Sequence, residues 1–218
     1  MCSCQQIHGR QVYLFADTSD REMESMQNDI SVCLYNCRSV KSSIKEIYDL
    51  CCNTDMVFLQ EHWLLPDEIS LLSDIHPDFV AIGYSAVDLS QGVLVGRPYE
   101  GTGIMYRKSF GECITYVKTY DSRITAVILQ SNYGPVLFVS VYMPTDYGDA
   151  GCYEEYVAIC GKITALFAES DAIHLVVIGD FNCQPGSRFF NSFLTFAIDN
   201  KLNCVDLDRL TDVFTYCK

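Results

Sequence analysis

Val176-Val177-Ile178-Gly179-Asp180-Phe181-Asn182-Cys183-Gln184-Pro185 decides how this chain is read. An apolar run from Ile173 to Ile178, interrupted only by His174, stops at Gly179 and gives way to Asp180 and Asn182. A short apolar run bounded by glycine predicts a buried strand that delivers polar side chains at its end. Side chains alternate along a strand, so Asp180 and Asn182 are expected on the same side, roughly 6–7 Å apart. A carboxylate beside a carboxamide suits chemistry at a phosphate. The Asp accepts a proton from an attacking water, and the Asn donates to a phosphate oxygen. Any strand exit can carry such a pair, so the reading turns on what the other strand ends supply.

Three other apolar strands end in polar residues. Ile30–Tyr35 runs into Asn36-Cys37-Arg38-Ser39, Met56–Gln60 into Glu61-His62-Trp63, and Val136–Val141 into Tyr142-Met143-Pro144. Between them the spacing predicts helices over Ser39–Cys52, Pro66–Ile75, Tyr153–Ala168 and from Ser187 to about Asn200, with Ser187 as a cap. Thr102–Tyr106 reads as a strand, and Arg123–Gln130 with Val136–Tyr142 as a hairpin around Asn132-Tyr133-Gly134. Residues 1–29 lack clear periodicity and read as a weakly ordered tail with a short strand at Val12–Phe15. Hairpins mixed with helical crossovers predict two packed sheets with helices outside.

Composition narrows the classes. At 218 residues, with 49% hydrophobic residues, one domain with a sizeable core is expected. No run approaches the roughly 20 apolar residues of a membrane span, and the charged N-terminal stretch is no signal peptide. The net charge of −13 argues against a broad phosphate-binding surface but leaves room for a local site neutralised by a cation. The 12 cysteines contain no Cys-x-x-Cys pair, which predicts small buried hydrophobes in a reducing, intracellular compartment, nucleus or cytoplasm.

Taken jointly, the chain resembles the endonuclease/exonuclease/phosphatase superfamily. More narrowly, it looks like the apurinic/apyrimidinic-type endonuclease domain of non-LTR retrotransposons. The anchors are Tyr35-Asn36-Cys37-Arg38-Ser39, Leu59-Gln60-Glu61-His62-Trp63-Leu64, Gly101-Thr102-Gly103-Ile104, Arg123-Ile124, Val141-Tyr142-Met143-Pro144, Gly179-Asp180-Phe181-Asn182 and Phe214-Thr215-Tyr216. The resemblance covers residues 30–218 and implies a four-layer α/β sandwich of the deoxyribonuclease I type. It implies phosphodiester hydrolysis of DNA with Mg²⁺, or Mn²⁺, as cofactor. Glu61 matches the metal ligand and Asn36 the amide that helps place the metal-side groups. Asp180 matches the group that orients or deprotonates water, Asn182 a hydrogen-bond donor at the phosphate, and Tyr142 the phenol beside it. Thr215 looks like a nucleic-acid contact and Arg123 a supporting residue. The implied partners are DNA and, in intact relatives, a downstream reverse transcriptase domain; a monomer without membrane contact is expected.

One departure stands beside the match. The family closes on a Ser-x-x-Asp-His type motif, and the chain as given stops at Thr215-Tyr216-Cys217-Lys218. The expectation is therefore a domain lacking its last strand, with impaired activity. His62 should face away from Glu61, and His174 lies roughly 20 Å from Asp180 along one strand. Two alternatives follow: a non-catalytic remnant of a mobile element, or a phosphomonoesterase of the same superfamily. The latter branch's Trp-x-Gly-Asp context is replaced here by Val177-Ile178-Gly179-Asp180.

Overall fold

The computed structural model describes residues 30–89, 96 and 98–205, and the backbone alone of 12–16. Ten strands form two sheets. β1 (Val12–Ala16), β6 (Ile114–Asp121), β7 (Ile124–Ser131), β8 (Gly134–Tyr142), β9 (His174–Asp180) and β10 (Asn203–Cys204) make a six-stranded sheet in the order β10-β1-β9-β8-β7-β6. β2 (Val32–Asn36), β3 (Met56–Gln60), β4 (Phe79–Tyr84) and β5 (Thr102–Arg107) make a four-stranded sheet in the order β2-β3-β5-β4. The helices are α1 (Ile44–Asn53), α2 (Leu71–Asp74), α3 (Ala150–Glu169) and α4 (Arg188–Asp199).

Strand alternation sorts the apolar side chains into three layers of core. Along β3, Met56 and Phe58 meet Phe138 of β8 and Val176 and Ile178 of β9 between the sheets. Val57 and Leu59 point the other way, against Ile47 and Cys51 of α1 and Leu72 of α2. Leu137, Val139, Leu175 and Val177 face outward onto Tyr156, Ile159 and Ile163 of α3 and Phe189, Phe193 and Ala197 of α4. Helix, sheet, sheet, helix is the four-layer sandwich expected. Six of the nine described cysteines are buried.

Both sheets contain one parallel pair, β2 with β3 and β8 with β9. Parallel strands end side by side, so each pair brings two strand exits together. Asn36 is the registered partner of Gln60, and Tyr142 of Asp180. Polar side chains tie the sheets just inside these ends: Gln60 Nε2 donates to Ser140 Oγ at 3.0 Å, and the Thr102 and Thr125 hydroxyls lie 2.9 Å apart.

Local boundaries depart from the sequence reading in four places. The helix expected at Ser39–Cys52 begins as a 3-10 turn at Val40–Ser42 before α1. The one expected at Pro66–Ile75 breaks into a 3-10 turn, Pro66–Glu68, and the single turn of α2. β6 was not anticipated. The strand expected at Val12–Phe15 is present as β1, paired with β9 and β10, so these five residues belong to the sheet rather than to a tail. The rest of residues 1–29 and the Phe214-Thr215-Tyr216 segment lie outside the described residues.

Candidate active site

The four strand exits meet at one end of the sandwich. By alternation, Asn36 follows Leu34, Tyr142 follows Phe138 and Ser140, and Asp180 follows Val176 and Ile178, all on the inter-sheet side. Glu61 would point the opposite way from Gln60 if the strand continued. It does not: Glu61 has φ 55°, a left-handed turn that redirects the side chain into the cleft. The backbone there is clamped by neighbours, since Ser39 N–H donates to the Glu61 carbonyl at 2.9 Å and Cys37 N–H to that of Gln60 at 3.0 Å.

Asn36 is the hub. Its Nδ2 donates to Glu61 Oε1 at 2.6 Å and to Asp180 Oδ2 at 3.3 Å. Both amide hydrogens are thus used to hold two carboxylates, one from each sheet, that would otherwise repel. The assignment of nitrogen and oxygen follows, because the reverse would set an oxygen against two carboxylates. Asn36 Oδ1 is then buried with no hydrogen-bond partner, as is Gln60 Oε1. An orphaned amide oxygen beside a carboxylate offers hard oxygen donors of the kind Mg²⁺ or Mn²⁺ takes. Among the described residues no group of three or more His, Cys, Asp or Glu comes together. The donor set therefore fits a cation held by few protein atoms and completed by water and substrate oxygens, as Mg²⁺ is commonly held.

Tyr142 sits against these carboxylates, near enough for the charges of Glu61 and Asp180 to act on its hydroxyl. Burial, then the charges of Glu61 and Asp180, push its phenol above the ordinary range, so it remains a hydrogen-bond donor. Arg123 braces it. The guanidinium lies 5.6 Å from the Tyr142 ring centroid, Nη1 donates to the Tyr142 carbonyl at 3.4 Å, and the remaining nitrogens bind Glu100 at 3.1 Å and Glu155 at 2.7 Å. Glu100 was not anticipated; burial raises its pKa against the opposing pull of Arg123. No local motif marks it, because its place depends on β5 pairing with β3.

Asn182 differs from its expected geometry. The strand ends at Asp180, and Asn182 turns left-handed at φ 44°. Its backbone N–H donates to Asp180 Oδ1 at 3.1 Å, and its Nδ2 to the Met143 carbonyl at 2.7 Å. It pins the exits of β8 and β9 together instead of projecting parallel to Asp180, and it keeps a second amide hydrogen.

The described histidines do not reach this centre. His62 is fully buried on the far side of Glu61: Nδ1 accepts from Leu64 N–H and Nε2–H donates to the Tyr84 carbonyl, each at 3.0 Å. Burial lowers its pKa to about 4. His76 packs between Tyr48 and Phe79, and His174 opens β9 at its opposite end.

Comparison with known proteins places the family and the fold. The Endonuclease/Exonuclease/phosphatase family pattern matches residues 33–216. No curated protein matches the sequence significantly. Among solved structures, a 3′ phosphatase from Neisseria bound to a product DNA hairpin is similar at TM-score 0.57 and 13% identity, over 77% of this chain and 71% of that one. The AP endonuclease of Leishmania major follows at 0.55 and 12%, over 78% and 66%. A mannosyl-6-phosphatase of Bacteroides thetaiotaomicron follows at 0.54 and 15%, over 77% and 70%. At these identities the likeness speaks for the fold.

Proposed function

The chain belongs to the endonuclease/exonuclease/phosphatase family, and from that premise we propose that it hydrolyses phosphodiester bonds in DNA with the help of Mg²⁺ or Mn²⁺. Family members are hydrolases of phosphodiesters or phosphate esters, generally dependent on a divalent metal. The observation that carries the reading is Asn36 bonded to both Glu61 and Asp180, with its oxygen buried and unpartnered. That arrangement supports a metal-side group and a water-side group held apart by one amide.

Glu61 and Asn36 Oδ1 would hold the cation, which supplies a Lewis acid for the phosphate oxygens. Asp180 accepts the proton of the attacking water. Tyr142, kept protonated by its surroundings, donates to a phosphate oxygen, and Arg123 holds the ring in place. The second amide hydrogen of Asn182 is a further donor. Thr215, beyond the described residues, is proposed as a nucleic-acid contact. The anchor motifs favour the retrotransposon branch, in which the domain acts within the cell, as a monomeric unit, beside a reverse transcriptase.

The test is nicking of supercoiled plasmid with Mg²⁺, Mn²⁺ or chelator, beside hydrolysis of a sugar phosphate and of a 3′-phosphorylated oligonucleotide. Metal-dependent nicking lost in Asp180→Asn is expected. Calorimetric Mn²⁺ titration should show weaker binding in Glu61→Gln. Phosphomonoester hydrolysis without any nicking would move the assignment to the phosphatase branch.

A further inference from the structure

Two tyrosines at the active-site end are almost fully exposed, Tyr120 at 82% and Tyr147 at 80%. Tyr120 is the last residue but one of β6, where the register with β7 shifts between Val117 and Asp121, and its φ is 51°. Left-handed backbone is an outlier for a bulky residue, and bulges near sites serve to re-aim a side chain. The conformation is held from the other sheet: the Tyr84 hydroxyl accepts from the N–H of Thr119 at 3.2 Å and of Tyr120 at 3.4 Å. The turn after Tyr120 leads directly to Arg123, the brace of Tyr142. β6, β7 and β8 are successive neighbours, so their ends stand two strand spacings apart, about 10 Å. Tyr147 lies on the loop leaving β8 after Tyr142. Its preceding residue is fixed, with Asp146 binding Arg188 at 2.7 Å and the Gly148 N–H at 2.9 Å.

Most of the cations flanking this end are already engaged, the exception being Lys118, exposed on β6 and without an ion pair among the described residues. Arg123 binds Glu100 and Glu155, Lys162 binds Asp121, and Arg188 binds Asp146. A closed duplex shows a partner mainly its phosphates, and gripping it needs available cations. A strand with unpaired bases instead presents aromatic faces, which stack on exposed rings with little regard for sequence. We propose that Tyr120 and Tyr147 form a stacking rim for unpaired bases next to the scissile phosphate, so that the preferred substrate is single-stranded or locally unpaired DNA. This rests on the reading of the site as a DNA phosphodiesterase.

The experiment measures binding of a fluorescent single-stranded oligonucleotide and of the matching closed duplex, by anisotropy, to Asp180→Asn protein with and without Tyr120→Ala, Tyr147→Ala or Tyr120→Phe. Kinetics on a bubble substrate follow in the otherwise unaltered protein. The expected result is tighter binding of the single strand. Each alanine should weaken it about tenfold. Tyr120→Phe should restore binding, and KM on the bubble should rise while kcat holds. Equal single-strand binding by the alanine variants, or a preference for closed duplex, overturns the rim while leaving phosphodiester cleavage intact. A protein that neither binds nor cuts DNA but hydrolyses phosphomonoesters overturns both this and the function it rests on.

Discussion

Asn36 carries more of this site than either carboxylate. Its two amide hydrogens are donors to Glu61 and Asp180, and its oxygen is the buried atom left over. Truncating it leaves two like charges facing one another and deletes an oxygen from the proposed metal side. We expect Asn36→Ala to lower the nicking rate by about 10²–10³, comparable to loss of a preorganised donor. Its Mn²⁺ affinity should fall as well, with circular dichroism unchanged. A variant with full activity would show that the amide is only structural. Glu61 and Asn182 add a second point at this scale. Both are left-handed non-glycine residues, and both sit where a strand would otherwise have carried the side chain elsewhere. Strain of this kind, of order 1–3 kcal/mol per residue, is held in place by surrounding bonds and gathers at functional sites.

The close approach of β8 and β9 depends on a residue without a side chain. A Cβ at Gly179 would collide with the backbone carbonyl of Val141 and its side chain, because the two residues are registered partners in the parallel pair. Gly179→Ala must therefore push the strands apart, one residue from the Tyr142–Asp180 pair. The expected cost is about 2 kcal/mol or more, read as a lower midpoint in urea, with activity falling further than stability accounts for. The strand itself was legible from its apolar run, and so was α4. Its cap, Ser187, accepts from Phe190 N–H at 3.2 Å, as the sequence led us to expect. Ser187→Ala should cost about 1 kcal/mol in the same measurement. β6 was not legible. Its Thr, Tyr and Lys side chains are largely exposed on an edge strand, so no apolar face announces it. The break at Pro66–Asp74 was hidden for the opposite reason: its periodicity is helical, and only packing under β4 limits it to single turns.

At the scale of the whole molecule, one buried titratable group ties stability to pH. His62 is fully buried and neutral, with its folded pKa near 4 against an ordinary 6.5. The unfolded chain takes up the proton first, so the stability contributed by the neutral ring is complete above pH 6.5. It is lost as pH falls from 6.5 towards 4, by roughly 3 kcal/mol in all. Urea unfolding at pH 7 and pH 5 should show a drop that is smaller in His62→Gln. The ring also fills the space beside Gly101, whose φ of 89° leaves no room for a Cβ against it. Protonation would thus loosen the loop that carries Glu100.

Sequence alone determined the two sheets with outer helices, because strand and helix periodicities record which face of each element is buried. It also determined which chemical groups stand at the strand exits, since Asn36, Glu61, Tyr142 and Asp180 each follow an apolar run. The tertiary structure decided how those groups meet. The left-handed turn at Glu61 reverses the side predicted by alternation. The amide of Asn36 reaches Asp180, 144 positions away, and Asn182 bonds to Met143 instead of lying parallel to Asp180. Glu100 enters only because β5 pairs with β3. These arrangements depend on contacts between distant segments and on single backbone dihedrals, neither of which leaves a periodic trace in the chain.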